Sequence, residues 1–430
     1  MPAAAPIDTS EAHARSLDAA DDLAHLRDRF HIPPSPADAT QDSVYLVGNS
    51  LGCMPKRTTQ LIEEELEDWK QLGVRGHLRS RRPWFSYHEQ VREASARVVG
   101  AKPEEVVAMN TLTVNLQLMM TTFFRPEGKR TKIVIEDAAF PSDSYAVQSQ
   151  LHLHGLPHTQ HLIRLKPREG EAILRFDDVI DTLRTHADEI ALVLLPGVNY
   201  LTGQLFDIQG ITAAARALGL RIGWDLAHTA GNVPLKLHDW APDFACWCTY
   251  KYMNAGPGSV AGCFVHERNA RDTSLPRLAG WWGNDPDTRF QMKPDFVPVT
   301  TADAWALSNP PVLSLTPLIA SLEVFGEVGM DRLRTKSVQL TGYMAQLIEE
   351  SLAGKVRLWT PTDPDQRGCQ LSLVIDGDGR ALNEKLTASG VICDFREPNV
   401  IRAAPTPCYN TFHDVWRFVQ ILRDTLGGSA

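Results

Sequence analysis

From about residue 103 the chain alternates short, almost continuous apolar runs with segments of helical period. The runs are KIVIED, HLIRLK, IALVLLPGV, LRIGWD, FACWCTY and AGCFVHE. Between several of them apolar residues recur every three or four positions, as in Phe176, Ile180, Leu183 and then Ile208, Ile211, Ala215, Leu218. A strand that is apolar on both sides is buried on both faces, and parallel neighbours need a helical crossover to join them. The pattern therefore predicts an α/β fold with a mostly parallel central sheet and helices on both faces.

The flanks read differently. The first 50 or so residues look like an extended arm leading to a turn-rich YLVGNSLG segment. Helices with the faces Ile62, Leu66, Trp69 and Tyr87, Val91, Ala94, Val98 follow, stopped by Gly73 and Gly100. From about 270 to 312 the chain is loop-like and rich in Trp, Gly and Pro. A long helix from Asp331 to about Leu352 then leads into a smaller α+β unit with strands at QLSLVID and VICDF. The expected division is an arm and turn region at 1–60, a large α/β domain at 61–320 and a small C-terminal α+β domain at 321–430.

A formal net charge of −9 over 430 residues weighs against nucleic acid or an anionic membrane as partner. The first 26 residues lack the apolar core of a signal peptide and carry too many acids for an organelle presequence. The apolar run Ile190 to Leu195 is far too short to span a bilayer. Seven scattered cysteines fit a reducing cytoplasm, and Cys246-x-Cys248 has strand spacing rather than that of a metal site. His152, His154, His158 and His161 cluster without a nearby cysteine, so they are read as structural and no metal is expected.

Two residues carry the chemistry. Asp225 and Lys251 each stand where a buried strand runs out, 26 positions apart. In open α/β sheets ligands sit beyond the carboxyl ends of the strands. Alone, the aspartate reads as a helix cap and the lysine as a surface charge. Together they are the two protein groups that pyridoxal 5'-phosphate (PLP) requires: a carboxylate that keeps the pyridine nitrogen protonated and an amine that forms a Schiff base with the aldehyde. The turn Asn254-Ala255-Gly256-Pro257-Gly258 lets backbone approach a ligand closely. Asn110 to Asn115 reads as a helix start, where free N–H groups and the positive dipole end seat a phosphate. Phe140, in AAFPSD, offers an aromatic face for the ring.

The strings MNTLTVNLQLMM, AAFPSDSYA, PGVNYLTGQ, WDLAHTAGNVPL, YKYMNAGPGS, GWWG, LSNPP and CDFREPNVIRAAPTPCYN run in order across roughly residues 45 to 420. They resemble the kynureninase family, which is of PLP fold-type I. The aspartate and lysine strings are shared in part with class V aminotransferases and cysteine desulfurases. GVRGH, SNPP and VIRAAPTPCYN are particular to kynureninases. The resemblance implies hydrolytic Cβ–Cγ cleavage of L-kynurenine or its 3-hydroxy derivative to the anthranilate and L-alanine, in tryptophan degradation, by a cytoplasmic homodimer with shared active sites.

It also implies roles by position. Lys251, Tyr250 and Asp225 would be catalytic. Leu112, Thr113 and Tyr250 would hold the phosphate, Phe140 would stack on the ring with Asp143 nearby, and His228 would lie beside it. Trp281 and Asn309 match positions contributed across the dimer interface. His77 and Asn309 match the pocket for the substrate's aromatic part, and Arg402 the arginine that grips its α-carboxylate. Pro196 aligns with a cofactor-proximal position that is polar in some relatives, and Trp282 neighbours Trp281. Two other readings are open: a cysteine desulfurase or selenocysteine lyase, with Cys369 or Cys408 as thiolate, and a PLP-fold ligand sensor without catalysis.

Overall fold

The computed structural model describes residues 8–427. Its main sheet has seven strands: β1 (Val106–Ala108), β2 (Lys132–Glu136), β3 (Leu162–Leu165), β4 (Ile190–Pro196), β5 (Arg221–Asp225), β6 (Phe244–Trp247) and β7 (Gly262–Val265). Their order across the sheet is β1-β7-β6-β5-β4-β2-β3. The pairs from β6 to β3 are parallel, and β7 runs antiparallel to both β6 and β1. The six apolar runs are thus strands of one mostly parallel sheet. Edge strand β1 escaped the pattern because three residues carry no readable period.

The unbroken apolar runs have a simple cause. Ile133, Ile135, Leu192, Leu194, Phe244 and Cys246 pack into one core, while Val134, Val193, Leu195, Ile222, Trp224 and Trp247 pack into another. Successive side chains point to opposite faces, and here both faces are covered. Each fully buried side chain of this size stabilises the fold by about 1.5–3 kcal/mol. At Gly223 any side chain would enter the ring of Phe244 on the next strand, so β5 cannot carry one there.

Four helices shape the first half: α1 (Glu11–Ala20), α2 (Arg57–Leu72), α3 (Leu112–Phe123) and α4 (Pro141–Leu153). Two expectations fail here. The arm is not simply extended, since α1 starts on a Ser10 cap that accepts from the His13 N–H. On α2 the buried positions are Thr58, Leu61, Glu65 and Asp68, while Leu66 and Trp69 are 45% and 59% exposed. The Glu65 carboxylate draws that face inward, accepting from Arg82 Nε at 2.6 Å, Trp84 Nε1 at 3.0 Å and the Tyr87 hydroxyl at 3.0 Å.

Helices α5 (Val312–Val328) and α6 (Met330–Leu352) meet at Gly329 with a bend of 85°. Among the described residues no single helix is long and apolar enough to cross a membrane, although this bent pair reaches that length and composition together. Both halves are used inside the protein. Leu315, Leu318, Leu322 and Phe325 join the larger core, and Leu340, Met344, Leu347 and Ile348 the smaller one.

The small unit is an antiparallel sheet of β8 (Val356–Leu358), β9 (Leu371–Ile375), β10 (Asp394–Arg396) and β11 (Val400–Ala403), in the order β8-β9-β11-β10. Helix α7 (Phe412–Gly427) packs against α6 and α1. The same apolar core takes in Ala14, Val44 and Leu46 from the N-terminal arm. Asp18 on α1 accepts from the Phe412 and His413 N–H groups at 2.6 and 3.1 Å, capping α7 from the other end of the chain.

Candidate active site

A cavity of about 360 Å³ opens at the carboxyl ends of the main-sheet strands. Glu136, Pro196 and Asp225 reach it from the last positions of β2, β4 and β5, and Tyr250 and Lys251 from the turn after β6. Thr111, Leu112 and Thr113 at the start of α3, and Phe140 and Asp143 at the start of α4, form another wall. Arg396 and Arg402 from the small sheet close the far side. Strand ends supply this site because Glu136, Pro196 and Asp225 are still paired in the ladder, which fixes their backbone, while the chain beyond them turns away and leaves a crevice.

The lysine turn is held from two directions. The Asn254 N–H donates to the Lys251 carbonyl at 2.9 Å, and Asn254 takes a positive φ of 53°. From the arm, the Gly52 N–H donates to the Tyr250 carbonyl at 2.8 Å. A Cβ on Gly52 would overlap Asn254 and the Lys251 carbonyl, so glycine is required for the YLVGNSLG segment to pack under this turn.

Lys251 Nζ lies 3.0 Å from His228 Nε2, and 5.9 Å from the centre of the Phe140 ring. Burial, then the Lys251 charge, holds the His228 pKa well below its ordinary value, so its imidazole is neutral. With Nε2 accepting from the lysine, the proton sits on Nδ1, which is buried without a partner. Burial pushes the Tyr250 hydroxyl up, so it enters the pocket as an O–H donor at neutral pH.

Three carboxyls gather at one end. Asp225 is buried, and its Oδ1 accepts from the Ala227 N–H at 2.7 Å. Burial, then the nearby Asp225, raises the Asp143 pKa well above the ordinary carboxylate range. Burial raises that of Glu136 to about 7, and Asn199 Nδ2 donates to it at 2.8 Å. A ring nitrogen that carries a proton would find its carboxylate partner here, in Asp225.

At the opposite end, α3 begins on Thr111, whose side chain makes no capping bond. The positive φ of Asn110, 50°, is held by Asn110 Nδ2 donating to Asn115 Oδ1 at 3.0 Å and Asn115 Nδ2 donating to the Met109 carbonyl at 2.9 Å. First-turn N–H groups are left for an anion. Between the two ends Phe140 keeps 42% of its surface open, a flat face for a ring. An acid at one end, an anion seat at the other, and an amine and an aromatic face between them fit PLP.

Nine of the sequence-predicted positions line this one cavity: Leu112, Thr113, Phe140, Asp143, Asp225, His228, Tyr250, Lys251 and Arg402. Three do not within a single chain. His77 stacks on Phe85 at 4.7 Å, and Trp281 sits edge-on to Trp282 and Phe290. Asn309 lines a neighbouring cavity that shares Thr111 with the first. Trp282 is buried, whereas Trp281 is 40% exposed. Sequence reasoning missed Asn49, Glu136, Tyr200 and Arg396. Glu136 was findable, because it ends β2 as Asp225 ends β5. Tyr200 and Asn49 lie in loops with no such signal.

All seven cysteines are buried, and none lines the cavity. Burial pushes the Cys369 and Cys408 thiols up to about 12, which removes them as mobile thiolates. Among the described residues one group of metal-ligating types converges, Glu105, His238 and His266. Its atoms are already engaged: Glu105 accepts from the Lys102 and Glu267 N–H groups, and His266 Nδ1 from the Arg268 N–H.

The profile of the kynureninase C-terminal domain matches residues 333–422. A protein of Myxococcus xanthus named kynureninase is 55% identical over 96% of this chain and 96% of its own length. Proteins of the same name from Koribacter versatilis and Salinispora tropica are 50% and 53% identical, each over 97% of this chain and 98% and 97% of their own lengths. Among solved structures, the cysteine desulfurase of Thermococcus onnurineus superposes with a TM-score of 0.75 at 18% identity, over 90% of this chain and 95% of that one. The cystine C-S lyase C-DES, in complex with cysteine persulfide, superposes with 0.76 at 17% identity, over 89% and 97%. At such identities these two likenesses speak for the fold.

Proposed function

The chain belongs to the kynureninase family, and on that premise we propose that its strand-end cavity carries out the hydrolysis of L-kynurenine to anthranilate and L-alanine. The cofactor is pyridoxal 5'-phosphate. When bound, it supplies an electron-poor ring conjugated to the substrate's Cα, which lets C–H and C–C bonds beside that carbon break heterolytically. The convergence of Lys251, Asp225, Arg402 and the start of α3 on one cavity carries the proposal.

Each residue has a task. The N–H groups of Leu112 and Thr113, with the Thr113 hydroxyl, hold the phosphate, and Tyr250 reaches it. Phe140 would offer its open face to the ring, His228 would lie beside it, and Asp225 would keep the proton on the ring nitrogen. Lys251 would tether the cofactor through Nζ and, once freed for catalysis, take the Cα proton of the substrate. Water adds to the γ-carbonyl, the Cβ–Cγ bond breaks as the hydrate gives up a proton and leaves as the anthranilate carboxylate, the Tyr250 hydroxyl or Lys251 delivers a proton to Cβ, and Lys251 returns the Cα proton to complete alanine. Arg402 grips the α-carboxylate and so aims the Cα–H bond at Lys251.

His77 and Asn309 line the pocket for the substrate's aromatic part, and Trp281 and Asn309 enter through a second copy of the chain. Trp281, half-exposed beside a buried Trp282, is the tryptophan with surface left to offer it. Seven free cysteines favour the cytoplasm. Against a desulfurase stands the burial of every thiol. The test is the fluorescence of anthranilate released from L-kynurenine, and of 3-hydroxyanthranilate from the hydroxylated substrate, with Lys251→Ala as blank. Turnover of neither, with sulfide released from L-cysteine, would reject the proposal. Cofactor uptake without turnover of any amino acid would favour the ligand sensor.

A further inference from the structure

The grip assigned to Arg402 depends on which part of its guanidinium faces the substrate, and the small sheet fixes that. Asp394 on β10 lies directly across from Arg402 on β11. Arg396, two residues further along β10, falls on the same face. Arg402 is 2% exposed. Its Nε donates to Asp394 Oδ1 at 2.6 Å, its Nη2 donates to Asp394 Oδ2, and its Nη1 donates to the Tyr200 carbonyl at 2.7 Å. Three of five N–H groups are therefore engaged, which leaves one on Nη1 and one on Nη2. Asp394 Oδ2 also lies 3.1 Å from Arg396 Nη2, and Arg396 lines the cavity.

We infer that Asp394 is a positioning residue for the substrate: it holds Arg402 by its side edge, so that the remaining N–H pair meets the α-carboxylate. This rests on the reading of Arg402 given above. A lone buried arginine rotates about its long side chain, whereas a side-on carboxylate locks the plane before substrate arrives. The same carboxylate draws Arg396 alongside. Two guanidiniums against one carboxylate leave this wall positive, which selects substrates that bring their own carboxylate. Arg396 is held too, its Nη1 donating to the Phe395 carbonyl at 3.1 Å, and it adds charge to this wall.

Asp394→Asn keeps the shape and removes the charge. With L-kynurenine as substrate, KM is expected to rise about tenfold or more while kcat stays within about threefold, because one charge-assisted contact is lost in binding and none in proton transfer. The visible absorbance of the cofactor-loaded enzyme stays as in wild type. In an Arg402→Lys background the same substitution raises KM by less than about threefold, since the group it acts through is already gone. Asp394→Glu recovers part of the loss.

Three results would overturn the inference: a KM within about twofold of wild type, a parallel fall in kcat and cofactor absorbance, or full multiplication of the two substitutions. If Asp394→Asn fails to fold, Asp394→Glu decides alone, a raised KM at unchanged kcat supporting the role and an unchanged KM refuting it. Wild-type turnover, run alongside, separates this from the proposed function. Its absence refutes that reading instead.

Discussion

Glu136→Gln makes a sharp test of the electrostatics at the end of β2. Glutamine has the same outline and keeps an oxygen for Asn199, whose own Oδ1 already accepts from the Leu201 and Thr202 N–H groups. Burial raises the Glu136 pKa from 4.5 to about 7, so the folded state holds this proton more tightly than the unfolded chain. Stability from this group is therefore complete below pH 4.5 and is lost as the pH rises towards 7. At 1.36 kcal/mol per pKa unit, the raised pKa of Glu136 costs the folded protein about 3 kcal/mol at pH 8 and about 1 kcal/mol at pH 5 relative to a group with pKa 4.5 in both states. The Gln variant lacks that cost. Urea unfolding of cofactor-loaded protein should show it more stable than wild type by about 3 kcal/mol at pH 8, the gap narrowing to about 1 kcal/mol at pH 5. An equal gap at both pH values, or a less stable variant at pH 8, would refute the reasoning.

Further outcomes follow from the same site. Lys251→Ala should release no detectable anthranilate and lose the visible absorbance of covalently held cofactor, while melting cooperatively. Gly52→Val should destabilise the protein by about 1–3 kcal/mol through overpacking against Asn254 and lower its affinity for added PLP, read by titration. A thiol reagent should label none of the seven cysteines in native protein and all of them in denaturant, because each is buried.

The parts of the site that the sequence revealed are those where local pattern and position agree. Asp225 and Lys251 were legible because a buried strand has to end somewhere and a charge at its end is conspicuous. Residues joined by long-range contact were not. On α2 the sequence shows only the apolar positions Ile62, Leu66 and Trp69, while the partners that turn Glu65 inward, Arg82, Trp84 and Tyr87, lie 17 to 22 positions further on. Tyr200 offers a side chain of no special pattern and a carbonyl that matters only because Arg402, 202 positions later, donates to it. The alanine-rich α1 has too weak an apolar face to declare itself, and it forms against α7, a partner almost at the other end of the chain.

That pairing bears on how the protein is made. Asp18 leaves the ribosome well before the helix whose first N–H groups it caps, which follows 394 residues behind. Until then α1 lacks the helix that it caps, and the sheet that carries Arg402 lacks a helix that covers it. The strand-end half of the site is complete well before its arginine wall, so a chain truncated near its C-terminus should retain a seat for phosphate yet lose its hold on an amino acid.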